Sequence, residues 1–167
     1  MKSGDIVRAC AHRLNFHQGL LVPEAVVDCS AKNANGYGFG QKRYQADLMW
    51  VTRDRYATEI EVKVSRSDWR VDSAKRKWEY LPGWVTRFIY AVPEELGIPD
   101  FVMPQAGIWH ITPCAYWGLK VKTVRAPKRI GKDKVPDWLA ERWMAHLHSR
   151  YWYQHLHGKR APSLKAA

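Results

Sequence analysis

Residues 56–65 read YATEIEVKVS, and the alternation in that short run limits the fold more than anything else in the chain. In an extended strand successive side chains point to opposite faces, so Ile60, Val62 and Val64 share one face while Glu59, Glu61 and Lys63 share the other. One face is core and the other is charged. The preceding run, YQADLMWVT at 44–52, also reads as a strand, and the polar turn Arg53-Asp54-Arg55 joins the two into a hairpin. A turn centred on Asp54 sets Val51 opposite Ala57, Met49 opposite Glu59 and Asp47 opposite Glu61. Opposed β-carbons lie about 4.5–5.5 Å apart, so Asp47 and Glu61 repel as bare neighbours. A divalent cation between them removes the repulsion and uses both as hard oxygen ligands. Lys63, one step further along that face, brings an ammonium that can orient or deprotonate a water and offset charge on a phosphate under attack. On a strand, Glu-x-Lys is most often only a solvated face with a cross-strand ion pair. The Asp at hairpin distance is what turns it toward metal-assisted phosphodiester hydrolysis.

The flanks predict an α/β fold. Ile6, Ala9, Cys10 and Leu14 mark a first helix over 5–16, and the branched run 19–29 with Pro23 in its middle suits an edge or bulged strand. A glycine-rich loop spans 31–43; no Gly-Lys-Ser/Thr follows it, so a hairpin tip is expected rather than a phosphate cradle. A helix over 67–80 presents Val71, Ala74, Trp78 and Leu81 at helical spacing and ends at Pro82-Gly83. Strands are expected over 84–92, 107–112 and 119–125, and Pro136 opens a long helix to about His157. In that helix Leu139, Trp143, Leu147 and Tyr151 repeat every four residues and are expected to pack on the sheet. His146, His148, His155 and His157 lack a recognised zinc-ligand spacing and are expected at the surface. Cys10, Cys29 and Cys114 are odd in number and far apart, which excludes a disulfide scaffold and a zinc ribbon.

At 167 residues a single domain is expected: a core over 1–125, with a basic loop and helix over 126–167 packed on it. No apolar run is long enough to be a signal peptide or a membrane span, so a cytoplasmic protein with no membrane partner is expected. The net charge is +11, of which residues 120–167 carry +9, with twelve basic groups against three acidic ones. Lys120, Lys122, Arg125, Lys128, Arg129, Lys132 and Lys134 form the densest stretch. Such a concentration fits a polyanion, because neutralised phosphates release counterions. On this reading the C-terminal extension holds substrate, and its removal weakens binding more than chemistry.

Asp47, thirteen intervening residues and then Glu61-Val62-Lys63, set between helix and strand on each side, resembles the PD-(D/E)XK nuclease superfamily. More closely, EVKVSRSDWRVDSAKRKWEY followed by RFIYAVP is similar to the MmcB-like DNA repair nucleases, with Ser65, Asp68, Trp69, Asp72, Lys77, Trp78, Tyr80, Ala91, Val92 and Pro93 at the matching positions. Pro23-Glu24 and Gly107-Ile108 also fit, and the likeness covers about residues 5–125. Ala46 stands where the superfamily has Pro, and the spacing from Asp72 leaves Lys75, Arg76 and Lys77 competing for the role of helix cation. The first helix has no Glu, so Asp5 or Glu24 is the candidate accessory acid.

The resemblance implies a restriction-endonuclease-like α-β-β-β-α-β core with a mixed sheet, extended by a C-terminal strand and the basic helix. It implies a Mg2+- or Mn2+-dependent DNA endonuclease in which Asp47, Glu61, the Val62 main-chain carbonyl and, as an additional ligand, Glu24 hold the metal, and Lys63 positions the attacking water. Lys75, Arg76, Lys77, Trp69, Lys128, Arg129, Lys132 and Lys134 are the expected DNA contacts. The substrate is expected to be duplex, branched or damaged DNA in repair, recombination or phage DNA metabolism. The setting is the nucleoid of a bacterial or phage-infected cell, with a homodimer as one assembly. A non-catalytic DNA-binding or repair-adaptor module on the same fold is the alternative.

Overall fold

The computed structural model describes residues 1–28, 43–75, 81–99, 101–115 and 118–158, with the side chains of 73–75 left aside. The order is α1 (Ser3–Arg13), β1 (Gly19–Asp28), β2 (Arg43–Thr52), β3 (Ala57–Val62), α2 (Arg66–Lys75), β4 (Val85–Pro93), β5 (Gly107–Cys114), β6 (Gly118–Arg125) and α3 (Asp137–His157). The glycine-rich stretch from Cys29 to Lys42 lies outside the described residues, as do Trp78 and the tail after Gly158.

All six strands form one mixed sheet in sequence order. β1, β2 and β3 pair antiparallel, β3, β4 and β5 pair parallel, and β6 returns antiparallel on β5. The hairpin register is the expected one: Val51 faces Ala57 and Met49 faces Glu59. The charged face of β3 is not a solvated one. Every residue of β3 is buried, Glu59 at 0% exposure and Glu61 at 9%, and Lys63 just beyond it is at 7%. The reason is position: β3 lies inside the sheet and both of its faces are covered, as parallel pairing with a crossover helix demands.

On one face, Ile6 and Cys10 of α1 pack with Leu48, Trp50, Ile60, Val62, Ile89 and Trp109. On the other face there are two clusters. Leu139 and Trp143 of α3 cover Val22, Ala25, Met49, Val51, Ala57 and Val85, while Trp69 of α2 covers Phe88, Tyr90, Val92 and Ile108. Glu59, Glu61 and Lys63 lie on the strand between these two clusters.

The C-terminal extension is built into the core. Val135, Leu139 and Trp143 are all buried, and the Trp143 indole donates to the Val26 carbonyl at 3.1 Å. Its basic loop is tied to one end of the sheet by main-chain bonds from Lys128 to Gln105, Ile130 to Thr86, Asp133 to Gly83 and Val135 to Arg55. Gly131 permits that approach, since a Cβ there would strike the carbonyl oxygens of Gly83 and Val85. Deleting 126–167 therefore strips core as well as charge. The last turns of α3 leave the sheet: Tyr151 is 62% exposed where the four-residue repeat places it in the core. No helix among the described residues is long and apolar enough to cross a membrane.

Candidate active site

β2 and β3 part company where the acids stand. Their ladder ends at Leu48 opposite Ile60, so Asp47 and Glu61 take the next register position. Lys63 donates its backbone N–H to the Ala91 carbonyl of β4 at 3.2 Å. Backbone groups of successive strand residues face alternate sides, so the N–H and carbonyl of Val62 face β2. That N–H meets the Asp47 carboxylate, with Oδ2 at 2.7 Å, in place of main chain. The Val62 carbonyl and the Asp47 carboxylate thus face one gap between two separating strands.

β1 carries the row outward. Val22, Ala25 and Val27 share a core cluster, and the step of three between the first two breaks strand alternation. Glu24 takes up that break in the left-handed region, at φ 54°, a conformation that non-glycine residues rarely adopt, and the β1–β2 register is the same on either side of it. Pro23 opposite Leu48 and Ala25 opposite Ala46 bracket Glu24 and place it across from Asp47. Glu61 in turn pairs with Tyr90. A single transverse row therefore runs Glu24, Asp47, Glu61, Tyr90 across four strands. At its outer end Arg150 of α3 holds Glu24, with Nη1 3.1 Å from Oε2. His146, one turn earlier and half-buried, has its pKa lowered by burial and then by the Arg150 guanidinium, with Glu24 opposing. It is not the open surface group that its sequence setting suggests.

At the inner end, the Lys63 ammonium lies 2.8 Å from Glu61 Oε1 and 3.0 Å from Asp72 Oδ1. The other oxygen of Asp72 accepts the Tyr90 hydroxyl at 2.5 Å. Burial alone would lower the Lys63 pKa, but the Glu61 and Asp72 carboxylates outweigh it and raise it. Lys63 is therefore an ammonium in the folded protein. Burial, followed by the Asp72, Glu61 and Glu59 carboxylates, pushes the Tyr90 phenol up and keeps it a donor. Beside this net, Glu59 is fully buried and accepts the Tyr44 hydroxyl at 2.5 Å.

Local sequence makes α2 deliver Asp72. Ser65 Oγ accepts the Asp68 N–H at 3.2 Å, and Asp68 Oδ2 accepts the Val64 N–H at 3.2 Å, a reciprocal cap that fixes the helix start against the strand end. The helix then turns Trp69 and Asp72 inward and Val71 outward, at 54% exposure. Of the apolar residues expected on the core face, Val71 is turned to solvent, Leu81 packs against the core, and the side chains of Ala74 and Trp78 lie outside the described residues.

The register sets Glu24, Asp47 and Glu61 at successive positions across the sheet, with Val62 on Asp47 and Lys63 on Glu61, and other expected residues stand apart from them. Trp69, expected as a DNA contact, is 3% exposed and packs on Tyr90 at 4.7 Å between ring centroids, so its ring is not open for base stacking. Asp5 pairs with Arg8 on α1, which covers the opposite face, and does not join the row. The Lys75 side chain, Arg76 and Lys77 lie outside the described residues. Lys128, Arg129, Lys132 and Lys134 are exposed, but their loop borders the start of β3 and β4, four residues or about 13 Å along the strand from Glu61. There Arg129 and Lys134 flank the Tyr56 ring at 5.0 and 5.8 Å. Sequence reasoning gave Asp72, Tyr90 and Arg150 no role. The available signal was Asp72 itself, a poor helix former in a helix interior one turn after the capping Asp68.

Among the described residues, no group of three or more His, Cys, Asp or Glu side chains is placed to hold a metal ion. The donor set in the row is two neighbouring carboxylates, a main-chain carbonyl beside them, and Glu24 bound to Arg150. No family model and no curated protein matches the chain. Among solved structures, the chain is similar to the SPO1766 protein of unknown function from Silicibacter pomeroyi. The likeness has a TM-score of 0.57 at 20% identity over 93% of this chain and 92% of that one. It is a likeness of fold.

Proposed function

We propose that the protein is a Mg2+- or Mn2+-dependent DNA endonuclease, and the observation that carries this reading is the convergence of Asp47, Glu61, Val62 and Lys63 where β2 and β3 separate. Helix, three antiparallel strands, helix and a parallel strand follow one another as in a restriction-endonuclease-like core, which supports the resemblance of the Asp47 to Pro93 stretch to the MmcB-like nucleases. The donors fit a hard cation, since all are oxygens and at least two are carboxylates. Asp47, Glu61 and the Val62 carbonyl would hold it, with Glu24 exchanging Arg150 for the ion as an additional ligand. A bound divalent cation supplies Lewis-acid activation of phosphate and water. Lys63 orients the water and offsets charge gathering on the phosphate.

The test is nicking of supercoiled plasmid and branched DNA in Mg2+ or Mn2+ by wild type, Glu61→Gln and Lys63→Ala. Cutting by wild type alone is expected, as is its loss in chelator. Absence of cutting on every substrate, or equal cutting by the variants, ends the nuclease reading.

One observation favours the non-catalytic DNA-binding module as a second reading: Lys63 and Arg150 already neutralise acids of the row from within the chain. That reading expects salt-sensitive DNA binding that needs no metal and survives Glu61→Gln.

A further inference from the structure

We propose that Asp72 is the positioning residue for Lys63, an inference that rests on the nuclease reading and gives its lysine a fixed aim. An ammonium has three N–H donors. Glu61 Oε1 takes one at 2.8 Å and Asp72 Oδ1 takes another at 3.0 Å. The donors are tetrahedrally disposed, so holding two of them sets the direction of the third, which is the one available to a water or a phosphate oxygen. Glu61 alone cannot perform this task, because the same carboxylate is a proposed cation ligand. A lysine tied only to Glu61 would compete with the ion for that group and move with it.

Asp72 supplies an anchor from another element. It is 2% exposed, and α2 is fixed at its start by the Ser65 and Asp68 cap. Its second oxygen is claimed by the Tyr90 hydroxyl of β4 at 2.5 Å. Helix and sheet together therefore orient this carboxylate whether or not Glu61 is engaged. On this assignment Asp72 touches neither substrate nor cation and acts through Lys63.

The experiment compares wild type, Asp72→Asn, Tyr90→Phe, Lys63→Ala and the Asp72→Asn/Lys63→Ala double variant in DNA cleavage, with thermal melts for folding. Asp72→Asn is expected to lower kcat about 10- to 100-fold, the usual loss when the partner that orients a functional group is removed, with KM for DNA unchanged. Tyr90→Phe should lose less. The double variant should lose no more than Lys63→Ala, because both changes remove one device. A readout independent of cleavage is reductive methylation with formaldehyde and borohydride, mapped by mass spectrometry. Lys63 should label slowly in wild type and several-fold faster in Asp72→Asn, measured against the exposed Lys128 in the same sample.

Losses that add in the double variant, or unchanged Lys63 labelling in a folded Asp72→Asn protein, overturn the assignment. If Asp72→Asn does not fold, Tyr90→Phe decides, and wild-type labelling with wild-type kcat overturns it. If wild type cuts no DNA, the nuclease reading falls, while the labelling arm still reports whether Asp72 holds Lys63.

Discussion

On the α1 side of β3, Ile60 and Val62 lie in hydrocarbon among Leu48, Trp50 and Ile89; on the other side Glu59 and Glu61, scarcely more exposed, are held by Tyr44 and Lys63. One strand thus presents two solutions to burial. The apolar side gains free energy for each area removed from water. The charged side loses hydration and recovers it only through partners at hydrogen-bond distance. The second arrangement gives up hydration that packing alone does not return, and the nuclease proposal rests on its presence between α2 and α3. Cys10 and Lys63 restate the contrast. Burial pushes the Cys10 thiol up to about 12, with no partner charge opposing it, and so keeps it neutral. Lys63 is raised because two carboxylates overcome burial, and so it stays charged.

The largest way to break the contrast is to remove one partner of the charged net. Lys63→Ala leaves Glu61 and Asp72 buried beside each other and should cost about 3–5 kcal/mol in urea unfolding. A cost below about 1 kcal/mol would show the net to be solvated. Converting the whole net tests the same idea with the opposite sign. Glu61→Leu, Lys63→Met, Asp72→Leu and Tyr90→Phe together convert the four hydrogen-bonded groups at once. The combined protein should be as stable as wild type or about 1–4 kcal/mol more so, and inactive on DNA. Strong destabilisation of that protein would mean the net holds the fold together, not only the site.

How far the sequence reveals these two sides depends on the range of the interaction concerned. Strand alternation and a short turn are local, so the β2–β3 hairpin and the pairing of Met49 with Glu59 are legible from residues 44–65. The convergence of Asp47 and Glu61 follows from the same register. The burial of Glu59 and Glu61 does not, because it depends on α2 and α3 arriving from elsewhere in the chain. Val71 is misplaced for the same reason: it has the spacing of a core residue, but Asp72 has a partner that only the folded sheet provides. Glu24 shows a third limit. Pro23 signals an irregular strand, yet the left-handed kink at Glu24 and its position across from Asp47 need both strands in place. The concentration of positive charge after residue 119 is plain in sequence. Its location beside the start of β3 and its dependence on core residues such as Trp143 are properties of the fold.

Cys10 gives a smaller effect and sharpens the apolar side. Its thiol titrates near 9.0 when free and at about 12 when folded, so the unfolded chain releases a proton that the folded one keeps. Folded stability is therefore lost as pH rises from 9 toward 12. Between pH 9 and 10 wild type should lose about 1 kcal/mol more than Cys10→Ala. Lys63 and Tyr90 are common to both proteins and cancel in that difference. Equal losses would show that the α1 face admits water.

The smallest effect on stability belongs to lysines of the same type as Lys63 in the opposite setting. Lys128 and Lys132 are exposed on the loop bound to the end of the sheet. Replacing both with Ala should change stability by no more than about 0.5 kcal/mol, against several for Lys63. Their effect should instead appear in DNA binding. If each neutralises one phosphate, the slope of log affinity against log salt should fall in magnitude by about 2 in the double variant. The kcat at saturating DNA should stay at the wild-type value, because the loop stands away from the acid row. An unchanged slope would remove this loop from the DNA interface. A fall in kcat with an unchanged slope would mean that the far end of the sheet is coupled to the row, and the separation of buried from exposed lysine would no longer divide chemistry from binding.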